Sequence, residues 1–310
     1  MFSIFKRKKE NPNVPEWASF FKENEYSEFL KSIDDYFANR KINYGLSDGM
    51  LTLDADDFGC NSLGLTNVAQ VCKQDAPKNY KEIVSAHFDS MIRAHQFDTG
   101  FKQIVHDYDK IQQYIAVRLY PIDYPAAIGK DLTIGKEFSE GIYAMLVFDL
   151  PDSIINIQPE QALKWNKTFD ELFETGIENI RRKYPLEISE QKFKEFNIWL
   201  VLGDHFFAPN IVFDLNNHSK LVGSKGSLVG IPHRHSVIIY PIEDIKVVEA
   251  VNQLIPTIYG MFEEGPGSIS NNIFWYKDGN FQHLPYKVTD NKLQFFPPEN
   301  FVELLHTLKE

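Results

Sequence analysis

Cysteine is scarce: the 310 residues contain only Cys60 and Cys72. A disulfide framework is therefore not expected, and a reducing cytoplasm is the natural compartment. Neither thiol has a neighbouring base in sequence, so both read as small core residues. No apolar run reaches the roughly 18 residues a membrane span needs. The chain has no H-E-x-x-H, no C-x-x-C and no Gly-Lys-Ser/Thr opening a helix, which removes the zincin, redox and P-loop assignments. Internal repeats and low-complexity tracts are missing too.

Positive charge is also in short supply. Lys and Arg number 32 against 43 Asp and Glu, for a formal net charge of −11. The first ten residues hold four basic side chains and one acidic one, so the remainder stands at −14. A body this acidic repels phosphate backbones, and nucleic acid is not an expected partner. The basic residues cluster twice. Arg181-Arg182-Lys183 falls in the last turn of an expected helix, where it complements the macrodipole. Lys6–Lys9 follows Phe2, Ile4 and Phe5, and Phe2–Lys9 could make a weak contact with anionic lipid. A frayed, solubilising terminus is the plainer reading of residues 1–15. A signal peptide would put its charge before a long apolar stretch, whereas here a few apolar or small residues precede the charge.

Aromatic residues are plentiful, with 25 Phe, 14 Tyr and 4 Trp, which favours well-packed layers. Three- and four-residue spacing of Trp17, Phe20, Phe21, Phe29, Leu30, Ile33 and Phe37 predicts a helix over about 16–39. A hairpin is expected around Ser47-Asp48-Gly49, helices over 63–72 and 80–95, and a strand over 114–120. The Pro- and Gly-rich stretch 121–137 marks the best internal boundary. Beyond it, Ile142–Phe148 reads as a strand covered on both faces. Thr168-Phe-Asp-Glu171 is a capping box opening a helix. Strands are expected at 198–202, 228–231 and 237–240, a helix over 245–262 that Pro256 should kink, a hairpin around Lys277-Asp-Gly279, and a last helix at 301–308. The fold class is α+β, with a mixed, largely antiparallel sheet covered by helices. The expected organisation is a lobe at 16–125, a core at 140–290 and a C-terminal helix within 291–310.

Several short patterns invite chemistry. Gly45-Leu-Ser47-Asp-Gly49 matches G-x-S-x-G, but a strand follows it where a nucleophile elbow needs a helix. Asp54-Ala-Asp56-Asp57-Phe58-Gly59 resembles a calcium loop, yet it holds Phe58 where an oxygen ligand belongs. Gly223-Ser-Lys225-Gly-Ser227 could offer backbone N–H groups to a phosphate. The sharpest candidate is His233-Arg234-His235. On an extended strand the two imidazoles share a face and could hold zinc with a third ligand from His218, His205 or Asp204. Zinc there would support hydrolysis. No paired carboxylates accompany the motif, so no cofactor is assigned.

Two segments, 142–184 and 227–286, together resemble the bacterial YtpQ-like family, a domain of unknown function. The resemblance rests on Asp149-x-Pro151-Asp152-Ser153, Glu178-Asn179-Ile180-Arg181-Arg182, Pro232-x-Arg234 and Lys277-Asp-Gly279. It covers about residues 142–286. Where the family commonly places aspartate after Pro-x-Arg, this chain has His235. The resemblance singles out Asp152, Ser153 and Arg234. If their strands are neighbours, Asp152 and Arg234 meet at one sheet edge, as a structural pair or as an anchor for a polar ligand.

Three functions are compatible with this reading. The first is a cytoplasmic, non-enzymatic interaction protein (adaptor, regulator or immunity-type) that presents an acidic surface to a protein partner. The second is a metal-dependent hydrolase centred on His233 and His235. The third is a binder of small phosphorylated ligands built on Arg234 and the Gly223–Ser227 loop.

Overall fold

A computed structural model of the chain describes residues 14–54, 57–289 and 292–308. The basic N-terminal segment, with its expected lipid contact at Phe2–Lys9, lies outside the described residues. So does Asp56 of the calcium-like loop. The neighbouring Asp54 carboxylate is bonded to Asn43, at 3.0 Å from its backbone N and 2.9 Å from its Nδ2. Among the described residues no helix is long and apolar enough to cross a membrane.

The chain forms two compact units with a boundary at Val105/His106; Asp149–Ile154 groups with the first. This differs from the expected lobe at 16–125. The reason is that Ile115–Pro121 pairs along its length with Ile142–Asp149, so the sheet draws residues from 106 onward into the second unit.

The first unit contains α1 (Glu23–Arg40), β1 (Tyr44–Ser47), β2 (Met50–Leu53), β3 (Ser62–Gly64), α2 (Thr66–Lys73) and α3 (Tyr80–Ile104). The expected helix from residue 16 is broken. Lys22 is extended, and its N–H donates to the Glu25 carboxylate, which starts α1 afresh. Phe21, Phe29, Phe37, Phe58 and Phe88 belong to a core in which aromatic rings pack with Ile33, Leu51, Leu65, Val68 and Val84, and α1 lies against α3. The β1–β2 hairpin turns through Asp48 and Gly49, both at positive φ. That is the primed turn two-residue hairpins favour, and it disposes of the nucleophile-elbow pattern.

In the second unit β4 (Ile115–Pro121), β5 (Gly135–Ser139) and β6 (Ile142–Asp149) form one sheet, flanked by β7 (Ile154–Asn156). The helix α4 (Phe169–Lys183) lies on β4. Its capping box is formed: Thr168 Oγ1 accepts from Glu171 N, and Thr168 N donates to the Glu171 carboxylate. The bonds donated to that carboxylate by Thr168 N, Lys167 Nζ and Thr168 Oγ1 hold the Glu171 pKa down at about 2.

A second, wholly antiparallel sheet runs in the order β13, β12, β10, β11, β9, β8. Its strands are β8 (Glu187–Phe193), β9 (Phe196–Leu202), β10 (Ser227–His233), β11 (Ser236–Pro241), β12 (Ile273–Lys277) and β13 (Asn280–His283). The helix α5 (Val247–Glu264) covers β10, with Ile258 seated over Gly230. A closing hairpin, β14 (Tyr286–Thr289) and β15 (Lys292–Phe295), precedes α6 (Glu299–Thr307). The α+β expectation holds, with the strands divided among separate sheets. The unanticipated strands include β5, which begins inside the stretch read as a loop over 121–137, β7, β8, whose EISEQKF sequence is mostly polar, and the β14–β15 hairpin.

Candidate functional site

His233-Arg234-His235 is not an extended strand. His233 ends β10, Ser236 begins β11 and the two residues face each other, so Arg234 and His235 are the turn between them. Neither has a positive φ, and a register shift between Gly230 and His233 accommodates the unprimed turn. The Arg234 N–H donates to Gly267 O at 3.1 Å, tying the turn to the loop after α5. Gly267 sits at φ +69, and a Cβ there would lie 2.6 Å from the Arg234 Cδ. The arginine stem thus lies against bare backbone.

Both imidazoles are engaged. His233 Nδ1 accepts from His235 N at 3.3 Å, so its Nε2 carries the proton toward Ser236 Oγ at 3.1 Å. His235 Nε2 accepts from Arg234 Nε at 3.2 Å, so its Nδ1 carries the proton toward Gly203 O at 3.1 Å. Burial, reinforced by the neighbouring His235 and Arg234, drives the His233 pKa down to about 4. Burial, then Arg234, lowers that of His235. Both rings are therefore neutral at pH 7, and the charge at this site comes from arginine.

The second arginine is Arg118 on β4. Its guanidinium carbon is 4.7 Å from the Tyr120 ring centroid and 5.3 Å from that of Phe206; that of Arg234 is 4.1 Å from Phe206. The two cations thus share one aromatic ring, with His235 edge-on to it at 5.4 Å. Tyr124 stacks on Tyr120 at 4.2 Å. Phe206 is 37% exposed, so the cluster reaches solvent. Burial, with repulsion from Arg118, pushes the Arg234 pKa down to about 10. Burial raises the Tyr120 phenol, and both arginines partly oppose that rise. Among the described residues neither arginine has a carboxylate within ion-pair distance. The Arg118 Nε is buried without a hydrogen-bond partner among the described residues.

The other sequence candidates lie elsewhere. Asp152 does not pair with Arg234: its carboxylate takes a bidentate grip from Arg93, at 2.6–3.1 Å. Ser153 closes a turn, its carbonyl accepting from Leu150 N. His218 faces Asp214 at 3.3 Å. His205 Nδ1 accepts from Phe207 N at 3.1 Å. Among the described residues no group of three or more His, Cys, Asp or Glu gathers as for a metal ion. The Gly223–Ser227 loop is no phosphate cradle. Its N–H groups go to Ser227 Oγ, the Glu243 carboxylate, Ile242 O and Gly223 O.

Sequence reasoning missed Arg118, Tyr120, Tyr124 and Phe206. For Arg118 a signal existed: it is the one charged residue within the apolar strand IAVRLYP. For Phe206 there was none, because only the fold brings the loop after β9 to the β10–β11 turn. Comparison with family models, with curated proteins and with solved structures gives no match to this chain.

Proposed function

We propose that the chain is a non-enzymatic binding protein for a small molecule bearing an oxyanion, a phosphate monoester or a carboxylate, held between Arg118 and Arg234. One observation carries this reading. In a chain with 43 acidic residues, two half-buried arginines face the same ring and are left without a carboxylate. Bringing like charges together out of water is unfavourable unless a counter-charge arrives. Guanidinium groups present planar donor pairs that match carboxylate and phosphate oxygens. Tyr120, Tyr124 and Phe206 supply aromatic faces for the remainder of such a ligand.

The reading is non-catalytic because the two histidines are already engaged by neighbours. It keeps Arg234 from the phosphorylated-ligand hypothesis and replaces the Gly223–Ser227 loop with Arg118. The acidic-surface partner reading gains no further support from the geometry, nor does the zinc hydrolase.

The test is a thermal-shift and calorimetric series with inorganic phosphate, pyrophosphate and benzoate at constant ionic strength. Binding to the native state must raise its stability, by about 2.7 kcal/mol at a ligand concentration of 100 Kd. The expected result is saturable stabilisation by at least one anion, lost in Arg234→Met. Absence of stabilisation by every anion at millimolar concentration sinks the proposal.

A further inference from the structure

Arg234 is held at three points before any ligand arrives. Its backbone N–H donates to Gly267 O at 3.1 Å. Its stem lies on Gly267, where a Cβ would come within 2.6 Å of Cδ and 3.0 Å of Nε. The third hold is on the guanidinium itself, whose Nε donates to His235 Nε2 at 3.2 Å.

That bond needs one tautomer of a neutral imidazole, and the fold supplies it. His235 Nδ1 lies 3.1 Å from Gly203 O. A carbonyl oxygen can only accept, so Nδ1 carries the hydrogen and Nε2 keeps its lone pair. The loop after β9 thus aims the ring and leaves its single acceptor to the arginine. The same loop supplies Phe206, which stands edge-on to His235 with the rings 73° apart and meets the Arg234 guanidinium at 4.1 Å from its centroid.

With Nε engaged, Arg234 has its two Nη groups left. Neither donates a hydrogen bond among the described residues. The residue is half-buried, beside the partly exposed Phe206. A guanidinium grips an oxyanion through two parallel N–H donors, either Nε with one Nη or the Nη pair. The bond to His235 removes the first mode and leaves the end-on one.

We propose that His235 is a positioning residue for the oxyanion: its Nε2 holds Arg234 by Nε, so that the ligand is taken end-on by the two Nη groups. This rests on the oxyanion reading of the arginine pair. The benefit is preorganisation, because the arginine has given up its rotamer freedom before binding, which is worth about tenfold in affinity.

The first readout needs no ligand. In nitrogen-15-labelled full-length protein at pH 7, a scalar coupling through the N–H···N bond should link Arg234 Nε to His235 Nε2, and its absence overturns the inference. The second is a calorimetric titration of phosphate, pyrophosphate and benzoate into the parent, His235→Phe and His235→Gln at constant ionic strength. Phenylalanine keeps a flat ring against Phe206 but removes the acceptor, whereas glutamine loses the ring and restores an acceptor oxygen. Whichever anion the parent binds should bind about tenfold more weakly to the phenylalanine variant and within about threefold of the parent to the glutamine variant. Equal affinities in the parent and the phenylalanine variant, or equal losses in both variants, overturn this inference alone, since binding by the parent that Arg234→Met removes still supports the oxyanion reading. A parent that binds none of the three anions overturns both. The coupling in the parent decides the matter should either variant fail to fold.

Discussion

Arg118→Met should make the unliganded protein more stable while removing its response to oxyanions. Arg118 sets a second positive charge against Arg234, whose pKa falls from 12.5 to about 10 through burial and then through this neighbour. A shift of that size disfavours the charged form by roughly 3 kcal/mol. Burial is its larger cause and solvent screens the remainder, so removing Arg118 should recover about 1 kcal/mol. The unpartnered Nε of Arg118 adds a penalty of about 1–3 kcal/mol that methionine does not carry. Lost stacking on Tyr120 and Phe206 opposes these gains by about 0.5–1 kcal/mol each. The net gain is on the order of 1 kcal/mol. Urea unfolding followed by tryptophan fluorescence reads it well, since Trp165, Trp199 and Trp275 share the unit of Arg118. With a slope of about 2 kcal/mol per molar urea, the midpoint should rise by roughly 0.5 M. A fall of that size at unchanged slope would refute the reasoning, because it would make Arg118 a structural anchor.

Three other outcomes are expected. The folded-state pKa of His233 is depressed to about 4 from 6.5, so the unfolded chain binds a proton that the folded ring refuses. Its contribution is therefore complete above pH 6.5 and falls away toward pH 4, by on the order of 2 kcal/mol after allowance for solvent. Urea midpoints at pH 7 and 4.5 should differ less in His233→Gln than in the parent, and equal differences would contradict this. Ellman's reagent should label the exposed Cys60 in the native protein but not Cys72, which is buried and whose thiol is pushed up to about 12 by burial and Asp75; equal labelling rates would count against the packing described. Gly176→Ala places a Cβ 2.8 Å from the Ala116 backbone carbon and 3.0 Å from Val117 N. Since backbone cannot yield as a side chain does, it should destabilise by about 1–3 kcal/mol in urea unfolding, and an unchanged midpoint would show that α4 does not pack so closely on β4.

Local signals carried most of the fold. The Asp48-Gly49 and Asp278-Gly279 turns and the Thr168–Glu171 capping box act over four residues or fewer, and each forms as its sequence implies. Strand β8 escaped notice because its pattern reflects one partner strand, β9, at the sheet edge and not a continuous apolar face. The site was legible only in part. Arg234 and its flanking histidines stand out in sequence, but their chemistry depends on which partners the fold brings. Asp152, the anticipated partner, is held by Arg93. Arg118, from a strand 116 residues earlier in the chain, supplies instead a like charge. The histidine rings were misjudged because strand alternation was assumed across what is a two-residue turn.

The most direct test is a titration with inorganic phosphate at constant ionic strength, observing the nitrogen-15-resolved Nε–H signals of the arginines. The account predicts that Arg118 and Arg234 move together along one saturable curve. Arg93 and Arg181, already held by carboxylates, should stay in place. No movement of the first pair, or a uniform unsaturated drift of every arginine, would contradict the claim that these two side chains form an oxyanion site.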